Sequence, residues 1–192
     1  TGFTFGGWST TLGGALAYAD GATYTMGTAN ATLYAIWTSA TTHDITFDAN
    51  TGTGTMANQT IAEGNTVALN SNTFSKTGYT FAGWATTAGG AVVYANGANY
   101  TMGLADVTLY AKWTPNNNTL SFNGNTNTGG STASQTIASD ATATLNSNGF
   151  TKTGYTFAGW ATTAGGAVAY ANGASYTMGT ANATLYAIWT SA

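Results

Sequence analysis

Six tryptophans constrain this chain more than any other feature. Trp8, Trp84 and Trp160 stand 76 residues apart (84 − 8 and 160 − 84), and Trp37, Trp113 and Trp189 keep the same interval. A fixed period of that length means one small unit used repeatedly, and it overrides a domain count drawn from length alone. The stretch TGYTFAGWATTAGGAVVYANGANYTMGLADVTLYAKWT, at 77–114, has near copies before and after it.

Residues 1–40 align without gaps with 153–192 and differ at seven positions, from Phe3/Tyr155 to Thr23/Ser175. They are the C-terminal half of a unit without its N-terminal half. The complementary half begins at His43 with DITFDANTGTGTMANQTIAEGNTVALNSNTFSK and again at Thr119 with TLSFNGNTNTGGSTASQTIASDATATLNSNGFTK. Phe47 aligns with Phe122 at 75 residues but Ile61 with Ile137 at 76, so one residue is added between them, in an Asn, Gly and Thr cluster where a loop tolerates it. The expected organisation is a half unit at 1–38 and full units at 43–114 and 119–190. The joints at 38–42 and 114–118 are short, and the second holds Pro115.

Local patterns read as strand. ITFDA, TVALN, GYTFAGWA, AVVYA and VTLYAKW are rich in β-branched and aromatic residues, with turn signals between them such as Asn96-Gly97 and Asn172-Gly173, which suit tight hairpins. Alternation in VTLYAKW places Val107, Leu109, Ala111 and Trp113 on the core face, opposite Thr108, Tyr110 and Lys112. In GYTFAGW the same alternation separates Tyr79, Phe81 and Gly83 from Thr80 and Trp84, which implies aromatic packing on both faces. Ser71–Lys76 is the best candidate for a helical turn. The fold class expected is mostly β, built from tandem modules whose core mass is Trp, Tyr and Phe.

Composition excludes several functions. Only 5% of residues are charged and the net charge is −3. Lys76, Lys112 and Lys152 cannot form the basic stripe that a nucleic acid requires. No run of about 20 apolar residues exists to cross a membrane as a helix. Without cysteine there is no disulfide framework or thiolate metal site. The chain opens on TGFTFGGW with no initiator Met or signal peptide, and is expected to be a piece of something longer.

The GYTFAGW, GG, YANGANYTM and VTLYAKW segments, with ITFDANTGTGTM ahead of them, resemble the Listeria-Bacteroides repeats, the family that includes the B repeat of internalin B. The resemblance covers essentially the whole chain. It implies a small, mostly β module of β-grasp type, carried in tandem on secreted or surface-anchored bacterial proteins as stalks or adhesive segments. Low charge and an incomplete first unit set this chain apart, and the family has no catalytic residues to carry over.

His43, the single histidine, could join Asp44 and Asp48 in a metal or acid/base cluster, but reads as a solvated joint residue without a counterpart in the other joint. Asp20 becomes Asn96 and Asn172, Asp106 becomes Asn30 and Asn182, and Glu63 becomes Ser139; Asp and Asn interchange where a side chain bonds nearby backbone in a turn. The loops DANTGTGT and NGNTNTGGST offer calcium at most one carboxylate each. No cofactor, metal or enzymatic activity is expected. The ligand or interface candidates are the tyrosines: Tyr18, Tyr24 and Tyr34, with copies Tyr94, Tyr100, Tyr110 and Tyr170, Tyr176, Tyr186. Two readings follow. One is a structural stalk, spacer or filament module of the bacterial surface or exterior, associating with neighbouring repeats or other copies of itself. The other is an adhesin module that binds glycan or a cell-surface receptor through aromatic rows. The half unit should be completed by the next unit or by strands from another copy.

Overall fold

A computed structural model describes residues 2–192. In the half unit, Phe3–Ser9 (β1) pairs antiparallel with Tyr34–Ser39 (β2). The first full repeat supplies Thr42–Asp48 (β3), Gln59–Ala62 (β4), Thr66–Ala68 (β5), Tyr79–Ala85 (β6), Asn99–Thr101 (β7) and Val107–Pro115 (β8). These form a four-stranded sheet of order β4-β3-β8-β6 and a two-stranded sheet, β5-β7. The second supplies Asn117–Asn123 (β9), Gly129–Gly130 (β10), Gln135–Ala138 (β11), Thr142–Thr144 (β12), Phe150–Thr151 (β13), Tyr155–Ala161 (β14), Ser175–Thr177 (β15) and Ala183–Ser191 (β16). Its sheets are β11-β9-β16-β14, β12-β15 and β10-β13. No helix occurs among the described residues.

By internal contacts the chain divides into two compact units. One reaches to Asp48 and includes Ala57–Ser71 and Asn96–Leu109; the other comprises Ala49–Met56, Asn72–Ala95 and Tyr110–Ala192. The second full repeat lies wholly within the latter and shows how the module is built. Its first and last long strands pair parallel at the centre, Ala183 beside Leu120 through Tyr186 beside Asn123. Antiparallel partners flank them, β11 on β9 and β14 on β16. The core is Leu120, Ile137, Leu145, Trp160, Tyr176, Met178, Leu185 and Ala187. Leu185 and Ala187 are buried as alternation along the strand demands, and so are their counterparts Leu109 and Ala111.

The expectation of aromatics on both faces of GYTFAGW is corrected by a bulge. The β14–β16 register shifts between Phe157 and Gly159, and β6–β8 shifts likewise between Phe81 and Gly83. The extra residue reverses the alternation, so Phe157 comes onto the same side as Trp160, ring centroids 4.9 Å apart, and 5.7 Å from Trp189. Phe81, Trp84 and Trp113 repeat the arrangement at 4.9 and 5.7 Å. Gly159 sits at φ 147°, where a Cβ would meet Tyr170 O at 2.8 Å. Only glycine fits there.

Two further expectations change. Ser71–Lys76 is not helical: Asn72 accepts from Phe74 N and donates to Phe74 O, each at 3.0 Å, while Ser75 bridges Thr53. An Asn side chain that satisfies nearby backbone removes the incentive to coil. Asn172-Gly173 does form a turn, closed by Ala174 N to Ala171 O at 3.1 Å with Gly173 at φ 68°, but not a two-strand hairpin. It carries the chain from the Tyr170 bridge with Trp160 to β15, which pairs with β12.

The same substitution placed in two surroundings tests this account. Leu185→Ala should destabilise the second full repeat by about 3 kcal/mol, whereas Leu33→Ala, at the matching but half-buried position, should cost about 1 kcal/mol or less; chemical denaturation followed by tryptophan emission reads both. Gly159→Ala should cost at least about 2 kcal/mol through the left-handed backbone and the clash with Tyr170 O.

Candidate functional site

The joints, the acidic loops and the tyrosines are the places where the sequence offers function. The loops are used internally. Asn125 Nδ2 donates to Ala164 O at 2.7 Å and to Ala187 O at 2.8 Å, and Trp189 Nε1 donates to Gly124 O at 2.9 Å. Asn50 and Trp113 repeat these bonds, to Ala88 O, Ala111 O and Ala49 O. These inward hydrogen bonds latch the loops to the sheet. The loop Asn and the strand Trp therefore form a pair that sequence reading missed; the signal was their joint recurrence in both full units. The added residue of the later copy falls beyond Thr128, beside the short β10-β13 ladder: Thr53 and Thr128 each donate their N–H across the loop, to Ser75 O and Thr151 O.

The interchangeable acids act over long range. Asp106 Oδ1 accepts from Asp44 N at 2.9 Å, and Asn182 Oδ1 accepts from Thr119 N at 2.7 Å, each holding the first strand of its repeat. Asn172 Oδ1 accepts from Asn148 N at 2.8 Å. Carboxylate and amide interchange because only the acceptor oxygen is used, and the partner lies far along the chain rather than in a local turn.

His43 is not solvated. Its side chain is largely buried on β3, with Nε2 3.8 Å from Glu63 and Nδ1 3.6 Å from Asp106. The second distance brings in a strand-holding acid rather than Asp48. Asp44 instead accepts from Thr60 Oγ1 at 2.6 Å. His43 also has a counterpart: it pairs with Ile61 as Asn118 pairs with Ile137. Buried Asn118 donates to Ser139 Oγ at 2.9 Å and to Gly179 O at 3.2 Å. A cluster able to carry charge at one joint is thus a neutral hydrogen-bonded pair at the next.

The second joint is closely tied, and all its residues belong to one compact unit. Asn116 N donates to Gly78 O at 2.8 Å, and Ser139 N to Asn116 O at 2.8 Å. Thr80 Oγ1 donates to Asn116 Oδ1 at 2.6 Å. Tyr79, at the start of β6, donates its hydroxyl to Asp140 Oδ2 at 2.7 Å, and Lys76 lies 4.1 Å over its ring. A Cβ on Gly78 would meet Thr180 at 2.6 Å. The Asp140 bond, with desolvation and the carboxylate's charge adding to it, raises Tyr79 above the ordinary tyrosine value of 10.0. Asp140 sits at φ 62°, in the left-handed region that Gly64 fills at the matching place. The first joint keeps the backbone frame, with Ala40 N on Gly2 O at 3.1 Å and Glu63 N on Thr41 O at 2.9 Å. It has Phe3 and Gly64 where the second has Tyr79 and Asp140, and a Cβ on Gly2 would meet nothing within 4 Å.

Of the candidate tyrosines, Tyr100 and Tyr176 are buried, Tyr24 is exposed, and Tyr18, Tyr34, Tyr94, Tyr110, Tyr170 and Tyr186 are half-buried. Tyr170 and Tyr176 meet edge to face at 5.2 Å, as Tyr18 and Tyr24 do at 5.3 Å. Burial, then the neighbouring Tyr170, raises Tyr176 above 10.0.

Comparison with known proteins agrees with a repeat module. A "Putative Gly-rich membrane protein" of Evansella cellulosilytica is 37% identical over 123 residues, 60% of this chain and 14% of that protein. A "Putative membrane protein" of the same organism is 34% identical over 96 residues, 48% of this chain and 14% of that protein. The chain thus spans about one seventh of either relative's length. Among solved structures, Streptococcal High Identity Repeats in Tandem domains 3-4 from a cell surface protein share 18% identity, over 79% of this chain and 99% of that one; the TM-score of 0.24 is too low to bear on the fold. The model of the Listeria-Bacteroides repeat domain matches residues 1–36, 43–112 and 119–188, and the chain belongs to that family.

Proposed function

We propose that this chain is a stalk or spacer segment of a bacterial surface protein, a run of repeats that holds some other part at a distance. The observation that carries the reading is the second joint. A spacer transmits length only if neighbouring modules do not swivel freely, and Tyr79, Thr80, Asn116, Ser139 and Asp140 bind one repeat to the next by main chain and side chain together. Stability in such an array is the sum of unit folds and neighbour interfaces. Relatives named as membrane proteins favour a location at the cell envelope. No helix among the described residues is long and apolar enough to cross a membrane. A β-grasp ancestry belongs to the same proposal, supported by the parallel central pair. The adhesin reading is the weaker one, because two of its nine tyrosines are buried in cores.

Joint variants test the proposal. Tyr79→Phe or Asp140→Ala should widen the distribution of distances between spin labels on β6 and β14 while leaving each repeat folded. The double change Phe3→Tyr with Gly64→Asp should narrow the corresponding distribution at the first joint. Unchanged distributions in all three variants would remove the basis of the spacer reading. Asp140→Gly separates two effects: it relieves about 1 kcal/mol of left-handed strain and still loosens the joint.

The Tyr79 bond also has a pH signature. Because the folded value lies above the unfolded one, its contribution is fully present below pH 10.0 and is lost as pH rises through the raised value. Ultraviolet difference titration of wild type against Tyr79→Phe should show this tyrosine ionising above the ordinary range, and Asp140→Asn should lower its midpoint.

A further inference from the structure

The chain has three lysines and no arginine, and all three lysines gather at two copies of one cleft. In the second full repeat the cleft has a volume of about 270 Å³, and its walls include Asn125, Thr126, Lys152, Gly165, Ile188 and Trp189. At the matching positions of the first full repeat stand Asn50, Thr51, Lys76, Gly89, Lys112 and Trp113, so a lysine replaces Ile188. Lys152 Nζ donates to Thr126 Oγ1 at 2.6 Å and lies 4.5 Å over the Tyr155 ring. Lys76 Nζ donates to Thr51 Oγ1 at 2.9 Å, and Lys112 Nζ to Ala88 O at 3.4 Å. Every one of these acceptors is neutral, and among the described residues the ion pairs are those of His43. The ammonium charges are therefore held in place without being neutralised.

The loop that carries the threonine is strained in both copies. Asn125 and Thr126 have φ of 48° and 68°, and Asn50 and Thr51 have 44° and 73°. Asparagine tolerates the left-handed region, and its amide here makes the latch. A β-branched residue rarely enters that region, and such strain gathers where a side chain has to be presented. Thr126 is presented to the lysine; its hydroxyl accepts from the ammonium and still has a proton to donate. Trp189, fixed through Nε1 on Gly124 O, gives the cleft an apolar side together with Ile188. A Cβ on Gly165 would meet nothing within 4 Å, so this part of the rim is open.

We infer that the cleft binds one residue of an acidic sugar, a pyranose ring bearing a carboxylate. The ammonium of Lys152 takes the carboxylate, Thr126 donates to a ring hydroxyl, and the C–H face of the ring lies against Trp189 and Ile188. The first full repeat offers the carboxylate a second ammonium, Lys112. A neutral sugar would leave the lysine unanswered, and a bare anion would leave the apolar side uncovered. The site is separate from the nine candidate tyrosines, and a spacer has no need of it, so the inference does not rest on the spacer reading.

The experiment titrates the whole chain with a trimer of galacturonic acid, with the fully methyl-esterified trimer and with acetate, following amide and indole N–H signals by NMR. The acid trimer should shift Thr126, Gly165 and the Trp189 indole N–H saturably, and the ester and acetate should bind at least about tenfold more weakly. Lys152→Ala should abolish the response at Thr126 and Trp189 while leaving that at Thr51 and Trp113, which also reports that the variant is folded. Ile188→Lys installs the residue that the first copy carries, and should tighten binding at the second cleft several-fold. The inference is overturned by the absence of a saturable response at either cleft, by an equal response to the ester or to acetate, or by affinities that neither variant changes.

Discussion

The module depends on one pairing, the parallel register of its first long strand with its last. Leu120 and Phe122 on one strand and Leu185 and Ala187 on the other meet around Trp160 only because Ala183–Tyr186 lies beside Leu120–Asn123. Parallel neighbours cannot be joined by a tight turn, so the whole middle of the repeat serves as their crossover. That middle supplies the remaining parts: β11 and β14 to flank the pair, and the small β12-β15 sheet that contributes Tyr176 to the core.

Around this pairing the repeat uses few charges and many directed hydrogen bonds. Asn182 or Asp106 holds the entering strand, Asn125 or Asn50 holds the loop, and Gln135 bonds Thr144 O and Asn146 N just as Gln59 bonds Ala68 O and Asn70 N. Such groups explain how a chain with 5% charged residues keeps a defined register. Burial gives the driving force without direction, and the amides supply the direction. The same economy appears at the joints, where Tyr79 and Asp140 add a bond to a backbone frame that both joints share.

Much of this was legible in the residues. The period and the alternation of Leu109 and Ala111 both follow from spacing and side-chain type. The site features were less so. The surroundings of His43 are hidden in the sequence because its acidic neighbours Glu63 and Asp106 lie 20 and 63 residues away. The Asp/Asn exchanges suggest local turns because a sequence displays local partners first, whereas the partners are distant strands. The bulge at Gly83 and Gly159 escaped because alternation assumes one residue per step, and an inserted residue reverses the faces without changing composition.

The stretch that ends each repeat draws the boundary between the two levels. By itself the sequence determined that this is a β module with aromatic mass and glycine turns, since those follow from backbone preference and periodicity. It could not determine which of two states YTMGTANATLYAIWTSA adopts. The same letters form buried, paired strand at 176–192 and partly unpaired, exposed chain at 24–40. Strand pairing and burial are completed by residues distant along the chain, and so only the tertiary structure decides them.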